Sequence, residues 1–460
     1  MTSELLQQVR VIDPVSGTDQ IADVLIDDGY IRSVTNRISD VPDNTRVRDC
    51  QGLILGSGLV DLYSHSGEPG FEERETLVSL LQAAAAGGFT RISILPDTLP
   101  VIDNPAVVAQ LQKRGGELQV MSQMKSQRQG ERKRRESFPE QVTGVEMREK
   151  QNSPLSSLSS STPLVNVWGA ISLDVAGKQM TELANLAAVG VVGFTDSQPW
   201  ENFGLVRRVL EYIQPLRKPV AFWCCDRQLM GNGVIREGRD AIRFGLPFIP
   251  SSAETSAIAA LLELVTATNT PVHIMRVSTA RSVELIASAK ARGVPITVST
   301  TWMHLLLDMQ KIQSYNTSLR LEPPLGTSND VAALRQAVRT GVIDAIAIDH
   351  RPYTYEEKTV AFAEAPPGAI GYELALPLLW QHLVETGEFT ALELWKAFST
   401  RPAECLQQRI SAIAPDQKAE LTLFDPQQNW KVEKQNLHTL SSNTFWLGQQ
   451  LTGRVVQTWC

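Results

Sequence analysis

Short apolar runs bounded by turn residues dominate the first 57 positions: Val9-Arg-Val-Ile and Ala22-Asp-Val-Leu-Ile, separated by Asp13-Pro and Asp28-Gly. Alternation over so few residues predicts strands. From about residue 58 the pattern changes to strand-like runs alternating with longer amphipathic stretches. The runs include Phe89-Thr-Arg-Ile-Ser-Ile-Leu, Gly190-Val-Val-Gly-Phe, Pro219-Val-Ala-Phe, Pro271-Val-His-Ile, Val294-Pro-Ile-Thr-Val and Ala345-Ile-Ala-Ile. Strands that alternate with helices imply βα units around a parallel sheet. Their spacing suits a (β/α)8 TIM-type barrel with insertions better than a doubly wound sheet. After about 413 the strand pattern returns in Ala419-Glu-Leu-Thr-Leu-Phe and Gly453-Arg-Val-Val-Gln-Thr. The expected architecture is α/β: a barrel over 58–412, and a small β-sandwich domain composed of both chain ends, 1–57 and 413–460.

One segment breaks this rhythm. Between about 122 and 162, Lys125, Arg128, Arg132, Lys133, Arg134 and Arg135 precede Ser156, Ser157, Ser159, Ser160 and Ser161, with few apolar residues to bury. It reads as a solvated low-complexity insertion, or as an arm that binds anions or nucleic acid.

The 460 residues are 43% hydrophobic and 20% charged, an ordinary globular balance with room for one large domain and a smaller one. A net charge of −7 argues against a general nucleic-acid binder. The absence of a long apolar run or a basic-then-apolar leader leads us to expect a cytoplasmic protein without a membrane partner. Five cysteines (50, 224, 225, 405 and 460) lack Cys-x-x-Cys spacing and suggest neither a disulfide framework nor a thiolate zinc site.

Candidate chemistry begins at Asp61-Leu-Tyr-Ser-His65. Strand alternation turns residues 61, 63 and 65 to one face, where Asp-x-His-x-His at a barrel mouth would aim two imidazoles at a cation. Tyr63 breaks the pair. A phenol is protonated at neutral pH and offers a metal little, so Tyr63 is expected to pack.

Several segments in order resemble the dihydroorotase and hydantoinase branch of the amidohydrolase superfamily, the dihydroorotases most closely. They include Gly58-Leu-Val-Asp-Leu-Tyr-Ser-His-Ser-Gly-Glu-Pro-Gly70, Ala86-Gly-Gly-Phe-Thr90, Leu95-Pro-Asp-Thr-Leu-Pro100, Val277-Ser-Thr279, Pro323-Pro-Leu325, Ile343-Asp-Ala-Ile-Ala-Ile-Asp-His350 and Glu356-Glu-Lys358. The resemblance implies a barrel whose mouth holds metal between histidines and acids. It places Tyr63, Trp223 and Arg276 at histidine ligand positions. Indole has no lone pair to give, and a guanidinium repels a cation. His65, Asp196 and Asp349 would be what remains, a partial metal site at best. Asp349 stands where the family keeps its ligand and proton shuttle; it reads as a vestigial catalytic acid/base, or as a strand-end carboxylate held by a base such as Arg276. His273, three residues before Arg276, is expected to face the opposite side and to pack.

By the same resemblance Asp97, Glu322 and His350 line the substrate position, while Gly67, Asp97, Glu322 and Gly326 replace residues that recognise an anionic substrate. Loss of a guanidinium fork and gain of carboxylates both disfavour a substrate such as dihydroorotate. The resemblance therefore implies a degenerate dihydroorotase-like protein of pyrimidine biosynthesis, with no cofactor expected, in a structural or regulatory role. It also implies an oligomer and aspartate carbamoyltransferase as partner. The alternative is an active cyclic amidohydrolase with zinc in a rearranged site that recruits Cys224 or Cys225.

Overall fold

The computed structural model describes residues 3–43, 45–118 and 162–460. The basic and serine-rich stretch of the insertion lies outside the described residues. Eight short parallel strands follow one another in space as they do in sequence: Leu59–Val60, Phe89–Ile94, Leu164–Gly169, Gly193–Phe194, Ala221–Trp223, Val272–Met275, Ile296–Thr301 and Ala345–Ala347. A parallel bridge between Phe194 and Val220 joins the two four-stranded halves. The ring closes through Asp349 N–H donating to Tyr63 O at 3.2 Å and His65 N–H to His350 O at 2.8 Å. This is the expected barrel. Its interior is filled by Val60, Leu62, Tyr63, Trp168, Ala221, Met275, Ala345 and Ala347.

Helices cover the outside because their sequences carry one apolar stripe. Phe203–Ile213 buries Leu205, Val206, Val209, Leu210 and Ile213, spaced three and four apart, and its first turn is capped by Asn202 accepting from Leu205 N–H. The helix Ser251–Thr268 buries Ala257, Ile258, Leu261, Leu262 and Val265 in the same way. No helix among the described residues is long and apolar enough to cross a membrane.

The chain ends share one hydrogen-bonded sheet of seven strands. Ser3–Asp13 pairs antiparallel with Thr18–Asp27 and parallel with Ile54–Ser57, which in turn pairs with Leu421–Lys431, itself paired with Gln450–Trp459. Its core holds Leu6, Val11, Val24, Ile31, Leu55, Leu421 and Leu423. Ile54–Ser57 leads almost directly into the first barrel strand, so the sheet is tied to the barrel where the site begins. Trp395 Nε1 donates to Ser57 O at 3.0 Å across that junction.

Candidate active site at the barrel mouth

Residues 61–65 continue the first strand and present Asp61, Tyr63 and His65. Asp61 is fully buried and accepts from Ser64 Oγ (2.5 Å), Ile348 N–H (2.9 Å) and Tyr372 O–H (2.8 Å). Burial pushes its pKa up to about 7 against those hydrogen bonds. It thus pins the first strand to the last one. Tyr63 Oη lies 2.9 Å from Ser299 Oγ and accepts from Arg276 N–H at 3.1 Å. Burial drives its phenol still further above the ordinary range. The side chain packs, with its oxygen satisfied.

Arg276 occupies the centre. Its Nε and Nη2 fork onto the two oxygens of Asp349 at 2.9 and 2.6 Å, Nη1 donates to Ser197 O at 3.2 Å, and Nη2 lies 3.1 Å from His65 Nε2. The guanidinium carbon sits 5.0 Å from the centre of the Trp223 ring and 5.6 Å from that of Tyr63. The three positions that depart from the histidine pattern therefore meet as one cluster, a cation flanked by two aromatic rings. A guanidinium has no lone pair, so its contact with His65 is a hydrogen bond only when Nε2 accepts. That places the imidazole proton on Nδ1, 2.7 Å from Asp97 Oδ2.

Burial alone would raise Asp349, but the Arg276 guanidinium beside it holds its carboxyl well below the usual carboxylate range. Burial likewise opposes ionisation of Asp97, and His65, with Arg351 and Arg276, brings it down to about 2. Arg276, Asp349 and Ser197 all have positive φ, 57°, 52° and 55°. Left-handed backbone at three strand ends of one site is a strained arrangement for residues other than glycine.

Two of the acids expected to share a site with His65 part company. Asp349 comes within 3.5 Å of His65 Nε2. Asp196 instead accepts from Ile171 N–H, Ser172 N–H and Ser172 Oγ, a closed set of partners, and burial raises it to about 6. Among the described residues no group of three or more His, Cys, Asp or Glu side chains could hold a metal ion. The metal implied by the resemblance does not fit: a permanent cation already bridges the ligand positions.

His273 departs from the alternation argument. Arg276 in left-handed conformation breaks the strand's alternation, and His273 reaches the interior too, joined through Ser299 Oγ and Tyr63 Oη to the Arg276 backbone N–H. His273 Nε2 lies 2.8 Å from Ser299 Oγ and Nδ1 2.9 Å from Thr297 Oγ1. Burial lowers its pKa to about 3, so it is a neutral packed imidazole. His350 is fully buried behind the site, its Nδ1 accepting from Gly371 N–H at 3.2 Å and its ring stacked on Tyr372. Glu322 lines a cleft at the mouth and pairs with Arg320 at 3.1 Å. Sequence reasoning missed that Ser197 O receives Arg276 and that Arg351 lines the same cleft.

Residues 231–459 match the model of the amidohydrolase family. A Synechocystis protein named as a probable dihydroorotase-like protein is 40% identical, with 99% of each chain covered. The chain belongs to the dihydroorotase-like amidohydrolases. A dihydroorotase of Pelobacter propionicus is 35% identical over 99% of this chain and 97% of its own. Among solved structures, an L-hydantoinase of Arthrobacter aurescens superposes with a TM-score of 0.78 at 18% identity, over 99% of this chain and 94% of that one. That last likeness speaks for the barrel and its accompanying sheet. This dihydroorotase-like chain thus keeps the family frame around a centre in which Arg276 lies between Tyr63 and Trp223.

Proposed function

We propose that this dihydroorotase-like protein belongs to pyrimidine biosynthesis but does not hydrolyse dihydroorotate, and serves there in a structural or regulatory role with aspartate carbamoyltransferase as its partner. The observation that carries the reading is Arg276 forked onto Asp349 between Tyr63 and Trp223. Metal-assisted hydrolysis of a cyclic amide needs hydroxide near pH 7 and a polarised carbonyl. A guanidinium generates no hydroxide, and it occupies both oxygens of the one carboxylate placed to move a proton. Asp349, held far below the usual range, is also a weak base.

The 35% identity to a named dihydroorotase favours the alternative, a metal-dependent cyclic amidohydrolase with a rearranged site. Cys224 and Cys225 would have to supply thiolate. Burial pushes both thiols up, Cys225 to about 12, which works against it.

Bound metal and dihydroorotate turnover, measured together before and after zinc is added, separate the two readings. No metal and no turnover is expected. Stoichiometric zinc with turnover abolished by Asp349→Ala would overturn the reading. Sedimentation with aspartate carbamoyltransferase tests the partner, and two independently sedimenting species would remove it.

A further inference from the structure

After the fifth barrel strand the chain makes an excursion, residues 226–250, before the helix Ser251–Thr268 begins. It is firmly built. Ile235–Arg236 pairs in parallel with Phe248–Ile249, while Val234 N–H donates to Pro247 O at 2.8 Å and Glu237 N–H to Ile249 O at 2.9 Å. Arg236, fully buried, donates from Nη2 to Ser278 Oγ at 2.6 Å and so ties the excursion to the loop that follows the sixth strand.

On that support stands a short helix, Arg239–Phe244. It buries Ala241 and Phe244 and turns Arg239, Ile242 and Arg243, spaced three and four apart, to solvent. Ile242 is 79% exposed, more than any other large apolar side chain among the described residues. Among those residues neither guanidinium beside it has a hydrogen bond or an ion pair, and Arg243 has only a ring contact, 5.9 Å from the centre of Phe244. Tyr315, nearly half exposed, extends the face: its ring stands edge-on to Phe244 at 6.3 Å and its O–H donates to Phe244 O at 2.8 Å. The excursion holds four arginines and no lysine. An aliphatic side chain held out on a fixed support, with arginine and tyrosine around it, has the composition of an interface core rather than of a solvated surface.

What fits this face follows from its charge. In a chain of net charge −7 the helix presents two cations that no acid of its own engages. A second copy seated there about a two-fold axis would set four guanidiniums against one another, which disfavours self-association through this face. Carboxylates on a different protein would take both arginines in forked hydrogen bonds, with Ile242 entering an apolar pocket between them. We propose that Arg239, Ile242 and Arg243 form a docking face for a protein partner that offers an apolar pocket edged by carboxylates. This rests on the reading of a non-hydrolytic protein that works with a partner, and adds where that partner is held.

Sedimentation velocity of the full chain with aspartate carbamoyltransferase, at low and at high salt, tests it. Ile242→Asp should weaken the complex at least about tenfold, as loss of a central anchor does. The parent complex should weaken as salt rises, and the double variant Arg239→Gln, Arg243→Gln should lose most of that dependence. The altered side chains are all exposed, and thermal melts check that the variants fold like the parent. Tyr355→Ser, which removes the next most exposed large apolar side chain from a different loop, should leave the complex as it was. A complex that Ile242→Asp leaves unchanged, or that Tyr355→Ser weakens as much, overturns the docking face and leaves the partner reading standing. Absence of any complex with the parent overturns both. Self-association of the parent that Ile242→Asp abolishes assigns the face to a second copy and overturns the proposal as well.

Discussion

Arg276 is 2% exposed and Asp349, its side chain 16% exposed, lies at the mouth beside it, so removing Asp349 strands a charge in the interior and removing Arg276 leaves a largely covered carboxylate without its partner. We expect Arg276→Met to lower unfolding stability by about 3–5 kcal/mol, measured by urea denaturation. Adding Asp349→Leu to that variant should recover much of the loss, because both charges are then gone. The pH dependence has a definite sign. Asp349 has a folded pKa below its unfolded one, so the pair's contribution is complete above about pH 4, the unfolded carboxylate range, and is lost as pH falls through the folded value. The stability gap between parent and Arg276→Met should therefore close as the pH is taken below about 4. Asp61 and Asp196, with raised values of about 7 and 6, pull the other way and make the fold less stable as pH rises through those values. A difference between two proteins that share both acids cancels them.

At the level of elements, the strand Ile54–Ser57 joins two bodies of structure. A Cβ on Gly56 would lie 2.0 Å from Trp395 Nε1, inside the ring that braces the junction. Gly56→Ala should cost about 3 kcal/mol or more, seen as a lowered melting temperature. How much of this was legible beforehand depended on sequence distance. The alternation of apolar runs revealed the barrel strands and the return of β structure at the C-terminal end, since each is a local pattern. Tyr63, Trp223 and Arg276 could each be recognised as out of place. Their meeting could not, because residues 63, 223 and 276 are brought together only by barrel closure. His273 was placed on the wrong side for a local reason: nothing in Met275-Arg276-Val277 announces a left-handed residue, which is commonly signalled by glycine or asparagine. Asp196 aligned with an acidic ligand position, yet its fate was set by two backbone N–H groups from a neighbouring strand end.

For the whole molecule, the shared sheet joins Ser3–Asp13 near one end of the chain to Gln450–Trp459 near the other. Gln450–Trp459 covers the edge of Leu421–Lys431 and contributes Leu451 and Val455 to the large core. Removing residues 450–460 should leave that edge and its apolar face open, with aggregation on expression followed by light scattering. The same unity bears on the centre of the barrel. A metal enzyme borrows its central cation from solution and can be stripped of it, whereas here the positive charge is carried on a side chain. Prolonged dialysis against a chelator should leave the melting temperature where it was, and growth in zinc-poor medium should yield the same protein. On the proposed reading, the centre of the barrel is insulated from the cell's supply of metal, its charge being set when the chain folds.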